Sequence, residues 1–217
     1  MTFEIEVWKQ TSKHSGSNNT CEYIVLHHTW WEGVDQQANY LGYGSTQVSC
    51  HYVVGKGGEI IQISDDKYVT RHAWSSQWDG RLWMNSYSIG IEIVSGDGHS
   101  YTDIQRDAVD WLVKNLMNKH WLSKDEVIRH KDISPWRKRD VGDEFWNTRF
   151  STFTEYQNSL MPKKEEITNK KRLQSLHIEI RDMYQVVSAN PDFDDTKTLE
   201  ILAKLSKILR EEWGTWL

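Results

Sequence analysis

Four short apolar runs, set apart by polar or helically spaced segments, constrain this chain more than any other feature. EYIVLHHT at 22–29 and SIGIEIV at 88–94 each carry an apolar stretch of strand length, the pattern of a buried β-strand. HYVVGKGGEIIQI at 51–63 reads as a hairpin turning at Gly57-Gly58, and VIRH at 127–130 as a further short strand.

Between the strands the periodicity changes. Ile104, Ala108, Trp111, Leu112, Leu116 and Trp121 approximate helical spacing behind a cap at Thr102, and a second helix is expected over 34–42. A polar loop, KDISPWRKRDVGDEF at 131–145, leads into an amphipathic stretch that ends near Met161. The predicted class is α/β, a mixed central sheet flanked by helices and occupying residues 1–161.

Pro162 and the charged run KKEEITNKK mark a boundary. Beyond it, Leu173, Leu176, Ile180, Met183, Tyr184 and Val187 share one helical face, Asn190-Pro191-Asp192 makes a turn, and Leu199, Leu202, Leu205, Ile208, Leu209 and Trp213 share another. Residues 162–217 are therefore predicted to form a C-terminal α-helical hairpin. Its apolar stripes require a partner: the cell wall, the rest of this chain, or a second copy in a homo-oligomer.

Composition excludes several classes. The formal net charge is -5 and no Lys/Arg-rich block occurs, so the electrostatic footprint of a nucleic-acid binder is missing. MTFEIEVWKQTSKHSGSNNT at the start lacks the apolar core of a signal peptide, and the longest apolar stretches fall far below the roughly 20 residues that span a bilayer. A cytoplasmic site of synthesis and no membrane span are expected. Two cysteines, Cys21 and Cys50, are too few for a disulfide framework. Twelve tryptophans supply flat apolar faces, each with one polar N–H, suited to stacking on carbohydrate or peptide or to filling a core.

Side chains alternate along a strand, so His27 shares a face with Tyr23, Val25 and Thr29, whereas His28 falls with Ile24 and Leu26. Only one of the two adjacent histidines can point at a given metal. By the same alternation Glu92 and Gly90 lie opposite Ile89, Ile91 and Ile93, and a carboxylate in a strand interior demands either an ion pair or a chemical role.

IVLHHT (24–29), SCHYVVGKGGEIIQI (49–63), RHAW (71–74) with SIGIEIV, and RHKDISPWRKRDVG (129–142) occur in an order and spacing that resemble the type 2 N-acetylmuramoyl-L-alanine amidases. This is the zinc-dependent family of phage lysozyme-like amidases and peptidoglycan recognition proteins, and the resemblance runs from about residue 20 to about residue 155. It implies that Zn2+ is held by His27, His130 and Asp140, although spacing alone leaves Asp132 and Asp143 as competitors for the third position. Three imidazole and carboxylate ligands leave a fourth tetrahedral position for water, the mark of a catalytic zinc.

The resemblance further implies Glu92 as general base and Lys138 as the cation that steadies the oxyanion. Lys138 stands two residues before Asp140, so in an extended segment both side chains leave the same face. His51 and His72 match cleft positions, and Trp74, with Trp30, Trp31, Trp78 and Trp83, falls in loops that shape a substrate site. Cys50 departs from relatives that carry a tyrosine near the metal, so no tyrosine-assisted step is expected.

The implied activity is hydrolysis of the amide joining N-acetylmuramic acid to L-alanine in bacterial peptidoglycan. The expected setting is a phage or prophage endolysin, made in the host cytoplasm and acting on the wall after release. The alternatives are a non-catalytic peptidoglycan-binding module and a cytosolic wall-recycling amidase. An unrelated metallopeptidase is disfavoured because no HExxH helix occurs.

Overall fold

The structure, a computed structural model, describes residues 2–96 and 100–161, and the hairpin expected over 162–217 lies outside the described residues. Its elements in chain order are β1 (Ile5–Val7), β2 (Tyr23–Thr29), α1 (Val34–Tyr43), β3 (Tyr52–Val54), β4 (Ile60–Gln62), β5 (Gln77–Trp78), β6 (Arg81–Leu82), β7 (Ser88–Val94), α2 (Asp103–His120), β8 (Val127–Arg129), α3 (His130–Ile133) and α4 (Phe153–Ser159).

Six strands form one mixed sheet in the order β1-β4-β3-β7-β2-β8. At its centre β2 and β7 run parallel in a register from Tyr23 opposite Ser88 to Thr29 opposite Val94. β3 and β8 extend the parallel arrangement on either side, β4 pairs antiparallel with β3, and β1 closes the edge parallel to β4. The expected 51–63 hairpin is the β3–β4 pair, and Gly58 sits in it at φ +89°, a backbone region glycine enters without a Cβ clash.

Alternation decides what covers each face. Ile24, Leu26, Ile89, Ile91 and Ile93 point toward α2 and are buried with its Ala108, Val109, Leu112, Val113 and Leu116. On the opposite face Ala38 and Leu41 of α1 pack on Val53, Ile61, Ile63 and Val94. A further cluster there joins Tyr23 and Val25 to Ala73, Met84, Ile128 and Ile133. The Thr102 hydroxyl accepts a hydrogen bond from the Gln105 N–H at 3.2 Å, so the expected cap does open α2.

Three details depart from the sequence reading. β1 lies in the polar opening segment and is largely exposed; its pairing with β4, rather than its own pattern, makes it a strand. The small β5–β6 pair also carried too short a pattern to be read. His130, expected to end a strand, instead starts the helical turn α3 directly after β8. Cys21 and Cys50 are buried, unpaired thiols, and among the described residues no helix is long and apolar enough to cross a membrane.

Ile91 is fully buried at the centre of the α2-facing core. Ile91→Ala is expected to lower the unfolding free energy by about 2–5 kcal/mol in urea titration, through lost transfer energy and the cavity left behind. A loss no larger than that of a surface substitution would show that the core is not organised around β7.

Candidate metal centre and active site

The β2–β7 register sets His27 directly opposite Glu92 on the face away from α2. α3 follows β8 on the other side of β2, and this brings His130 to His27. His27 Nδ1 lies 2.8 Å from His130 Nδ1 and 3.5 Å from Asp140 Oδ2, and His130 Nδ1 lies 2.9 Å from the same oxygen. All three residues are buried. The competing aspartates are engaged elsewhere: Asp132 takes a fork from Arg129 at 2.6 and 2.7 Å, and Asp143 meets Lys131 at 3.0 Å.

Electrostatics keeps this cluster ready for a cation. Burial, reinforced by His130, pushes His27 down to about 3, and burial also lowers His130, so both imidazoles are neutral. Burial alone would raise Asp140, but the neighbouring His130 and His27 hold it far below the usual carboxylate range. Two neutral ring nitrogens facing each other beside a carboxylate cannot all be satisfied by the protons present. Their ligand atoms lie within 4.8 Å of one another, and a set of two imidazoles and one carboxylate suits a divalent metal of borderline softness.

His72 orients His27. With His27 Nδ1 kept as an acceptor, its Nε2–H donates to His72 Nδ1 at 2.9 Å, and His72 Nε2–H donates in turn to the Ser88 carbonyl at 3.3 Å. His72 fits only because position 90 is glycine: a Cβ there would stand 2.5 Å from His72 Cγ.

His51 does not reach the cleft, contrary to the expectation. It is fully buried, its Nδ1 accepts the Gly90 N–H at 2.9 Å, and its Nε2 donates to the Tyr68 carbonyl at 2.9 Å. Both ring nitrogens are used, one in holding β7 and the other in holding the loop at Tyr68, and the motif match could not reveal this.

Two of the three metal-ligand residues, His130 and Asp140, form part of the wall of an open cleft of about 980 Å³, and His72, Trp74, Glu92, Lys138, Trp30, Trp31 and Trp83 line the same cleft. Glu92 accepts no hydrogen bond from a described residue. Burial, with Asp140 nearby, raises it to about 8 while Lys138 opposes the shift. Lys138 leaves a turn in which its N–H donates to the Ser134 carbonyl at 2.8 Å, so a turn, and not an extended segment alone, sets its place beside Asp140. Trp78 packs against the Tyr23–Val25 cluster instead of the cleft.

Trp74 and Trp83 sit at φ +44° and +62°, the left-handed region that side chains rarely adopt. Ser76 pins both: its hydroxyl donates to the Trp74 carbonyl at 2.9 Å and accepts the Met84 N–H at 3.0 Å, and its carbonyl accepts the Trp83 N–H at 2.9 Å. The two indoles are consequently displayed, 45% and 59% exposed. The sequence reading missed Gln37, Tyr40 and Leu41 of α1, and Arg137 and Arg139, all of which line the cleft. The available signal was a glutamine on the otherwise apolar Val34–Ala38–Leu41 stripe.

Two outcomes follow from this geometry. Gly90→Ala, by displacing His72, is expected to weaken metal affinity roughly 10- to 100-fold in chelator competition. In metal-free protein Glu92 keeps its proton up to about pH 8, against an ordinary value of 4.5, so between these the native state binds more protons and loses stability as pH rises. Glu92→Gln lacks this penalty. Metal-free Glu92→Gln should melt several degrees above the wild type at pH 8, with the difference closing toward pH 4.

Residues 17–143 match the Amidase_2 family, N-acetylmuramoyl-L-alanine amidase. The 1,6-anhydro-N-acetylmuramyl-L-alanine amidase AmpD of Escherichia coli (strain K12) is 33% identical over 119 residues, which cover 54% of this chain and 65% of that protein. The N-acetylmuramoyl-L-alanine amidase XlyA of Bacillus subtilis (strain 168) is 30% identical over 144 residues, 60% of this chain and 46% of its own. The chain thus spans less than two thirds of the length of these relatives. Among solved structures, AmpD superposes with a TM-score of 0.60 at 22% identity, covering 70% of this chain and 98% of that one, and a mutant endolysin from Bacillus subtilis with 0.56 at 23%, covering 74% and 100%. Both show the fold. The E. coli amidase AmiD, in complex with anhydro-N-acetylmuramic acid-L-Ala-D-gamma-Glu-L-Lys, superposes with 0.53 at 26% identity over 59% of this chain and 56% of its own. The chain belongs to the N-acetylmuramoyl-L-alanine amidase family, Amidase_2.

Proposed function

We propose that this protein is a zinc-dependent amidase that hydrolyses the bond between N-acetylmuramic acid and L-alanine in bacterial peptidoglycan, and that it acts as an endolysin. The observation that carries the reading is the meeting of His27 Nδ1, His130 Nδ1 and the Asp140 carboxylate at the wall of the cleft that Glu92 and Lys138 also line. Residues 1–161 would carry the chemistry, and 162–217 would serve as an accessory element for wall contact or self-association.

His27, His130 and Asp140 would hold the zinc, which when bound acidifies a water molecule and polarises the scissile carbonyl. Glu92 takes the proton from the water as its oxygen attacks the carbonyl carbon. The raised affinity of this buried carboxylate for a proton suits it to carry that proton to the alanine nitrogen as the C–N bond breaks. The Lys138 ammonium approaches the carbonyl oxygen as it becomes negative. The products are the lactyl carboxylate of the muramic acid and a stem peptide with a free amino terminus.

The endolysin role is supported by the breadth of the cleft and by the exposed indoles of Trp30, Trp31, Trp74 and Trp83 along it, faces against which a glycan polymer can lie. Similarity to AmpD favours a second reading, a wall-recycling amidase acting on soluble anhydromuramoyl peptides.

Release of stem peptide from purified sacculi and from a soluble anhydromuramoyl peptide, each with zinc, after chelation and after zinc is restored, separates these readings. Zinc-dependent release with faster turnover of sacculi is expected; preference for the soluble peptide would favour recycling, and zinc binding without release from either would favour a binding module. Glu92→Gln should retain zinc while turnover falls about 10²- to 10⁴-fold, whereas Asp140→Ala should lose the metal.

A further inference from the structure

The cleft is cationic in a chain that is not. The protein carries a formal net charge of -5, yet the consecutive residues Arg137, Lys138 and Arg139 all line the cleft. Its described lining acids are Glu92, whose carboxyl is raised to about 8, and Asp140, which lies against His27 and His130. A cleft walled by one sign of charge concentrates ligands of the other sign.

Two of the three cations are already engaged. Arg137 donates to the Ala73 carbonyl at 2.9 Å and to the Ser75 carbonyl and Ser134 hydroxyl at 3.4 Å, which ties it to the loop of Trp74. Lys138 stands close enough to the metal centre to act on His27, His130 and Glu92. Arg139 is exposed, and among the described residues its guanidinium meets no acid; it donates to the Pro135 carbonyl in a long bond of 3.4 Å. A planar guanidinium with its other N–H groups open to the cleft matches a carboxylate, which takes two parallel hydrogen bonds from it.

The proposed substrate limits where that carboxylate can be. The lactyl carboxyl of muramic acid is tied up in the scissile amide and the N-acetylated rings are neutral, so the negative charge lies in the peptide. Arg139 follows directly on Lys138, the residue placed at the scissile carbonyl, so a carboxylate a residue or two beyond that bond comes within its reach.

We propose that Arg139 binds a free carboxylate of the stem peptide and makes the protein selective for stems in which that group is not amidated. The assignment rests on the amidase reading. Two groups share this chemistry, the α-carboxylate of a γ-linked glutamate next to the alanine and the carboxylate at the end of the peptide.

The test uses the zinc-loaded full chain and synthetic N-acetylmuramoyl-L-Ala-D-γ-Glu-L-Lys in which each of the two carboxylates is either free or converted to a carboxamide of the same shape. The wild type is expected to prefer the carboxylate at one position by roughly five- to tenfold in kcat/KM, the size of a partly exposed charge-assisted hydrogen bond. Which position shows the preference identifies the group. Arg139→Gln should bring the ratio close to 1, Arg139→Lys should keep most of it, and Arg139→Glu should invert it. Sodium chloride near 1 M, where the screening length is about 3 Å, should shrink the wild-type ratio.

Retention of the full preference by Arg139→Gln, a preference indifferent to salt, or equal use of carboxylate and carboxamide by the wild type would overturn the assignment while leaving the amidase intact. If the wild type cleaves none of the four peptides, the amidase reading fails. Calorimetric affinities for the same peptides then decide the role of Arg139 separately, with loss of the carboxylate preference in Arg139→Gln supporting it and an unchanged preference overturning it.

Discussion

The parallel pairing of Tyr23–Thr29 with Ser88–Val94 is the interaction on which the rest of this structure depends. The register fixes two faces at once. It sends five leucine and isoleucine side chains into the core beneath α2, and it sets His27 across from Glu92 on the other side. A slip of one residue would exchange these faces, burying the imidazole and carboxylate against α2 and exposing the apolar set. Stability of the sheet and assembly of the site are therefore one requirement.

The site then consists of buried polar groups, each held in a particular state. Asp66, remote from the cleft, shows the ordinary solution: Tyr52, Lys119 and His120 all donate to it, at 2.6, 2.8 and 2.7 Å, and it stays ionised despite burial. Asp140 follows the same logic with two histidines as partners. Glu92 does not, because no described residue donates to it, and its carboxyl is raised. Two carboxylates on one cleft wall are thus driven in opposite directions, the separation that the proposed roles of ligand for Asp140 and proton carrier for Glu92 require.

Support for this arrangement passes through groups outside the His27, His130 and Asp140 cluster itself. Gly90 leaves room for His72, His72 fixes the tautomer of His27, and His51 holds the Gly90 amide from behind. The exposed indoles of Trp74 and Trp83 depend likewise on a hidden residue, Ser76, whose hydroxyl and carbonyl hold a loop that twice enters the left-handed region. Preorganisation of the cleft is in this sense a property of the layer beneath it.

The strands at 22–29, 51–63 and 88–94, both long helices and the Thr102 cap were legible in the sequence, because burial on a regular element leaves a periodic trace and a cap is read from one residue and its neighbours. The same alternation gave the face of His27 and of Glu92. Tertiary structure alone decided what periodicity does not encode. It set Asp140 beside His27 and His130 while Asp132 and Asp143 pair locally with Arg129 and Lys131, and it took His51 out of the cleft by using both its ring nitrogens. It also made β1 a strand through pairing with β4 and brought Gln37 to the cleft wall with its oxygen unpaired. The physical reason is common to these cases: a period reports which way a side chain points, whereas a partner 50 or 100 residues away becomes known only when the chain has folded.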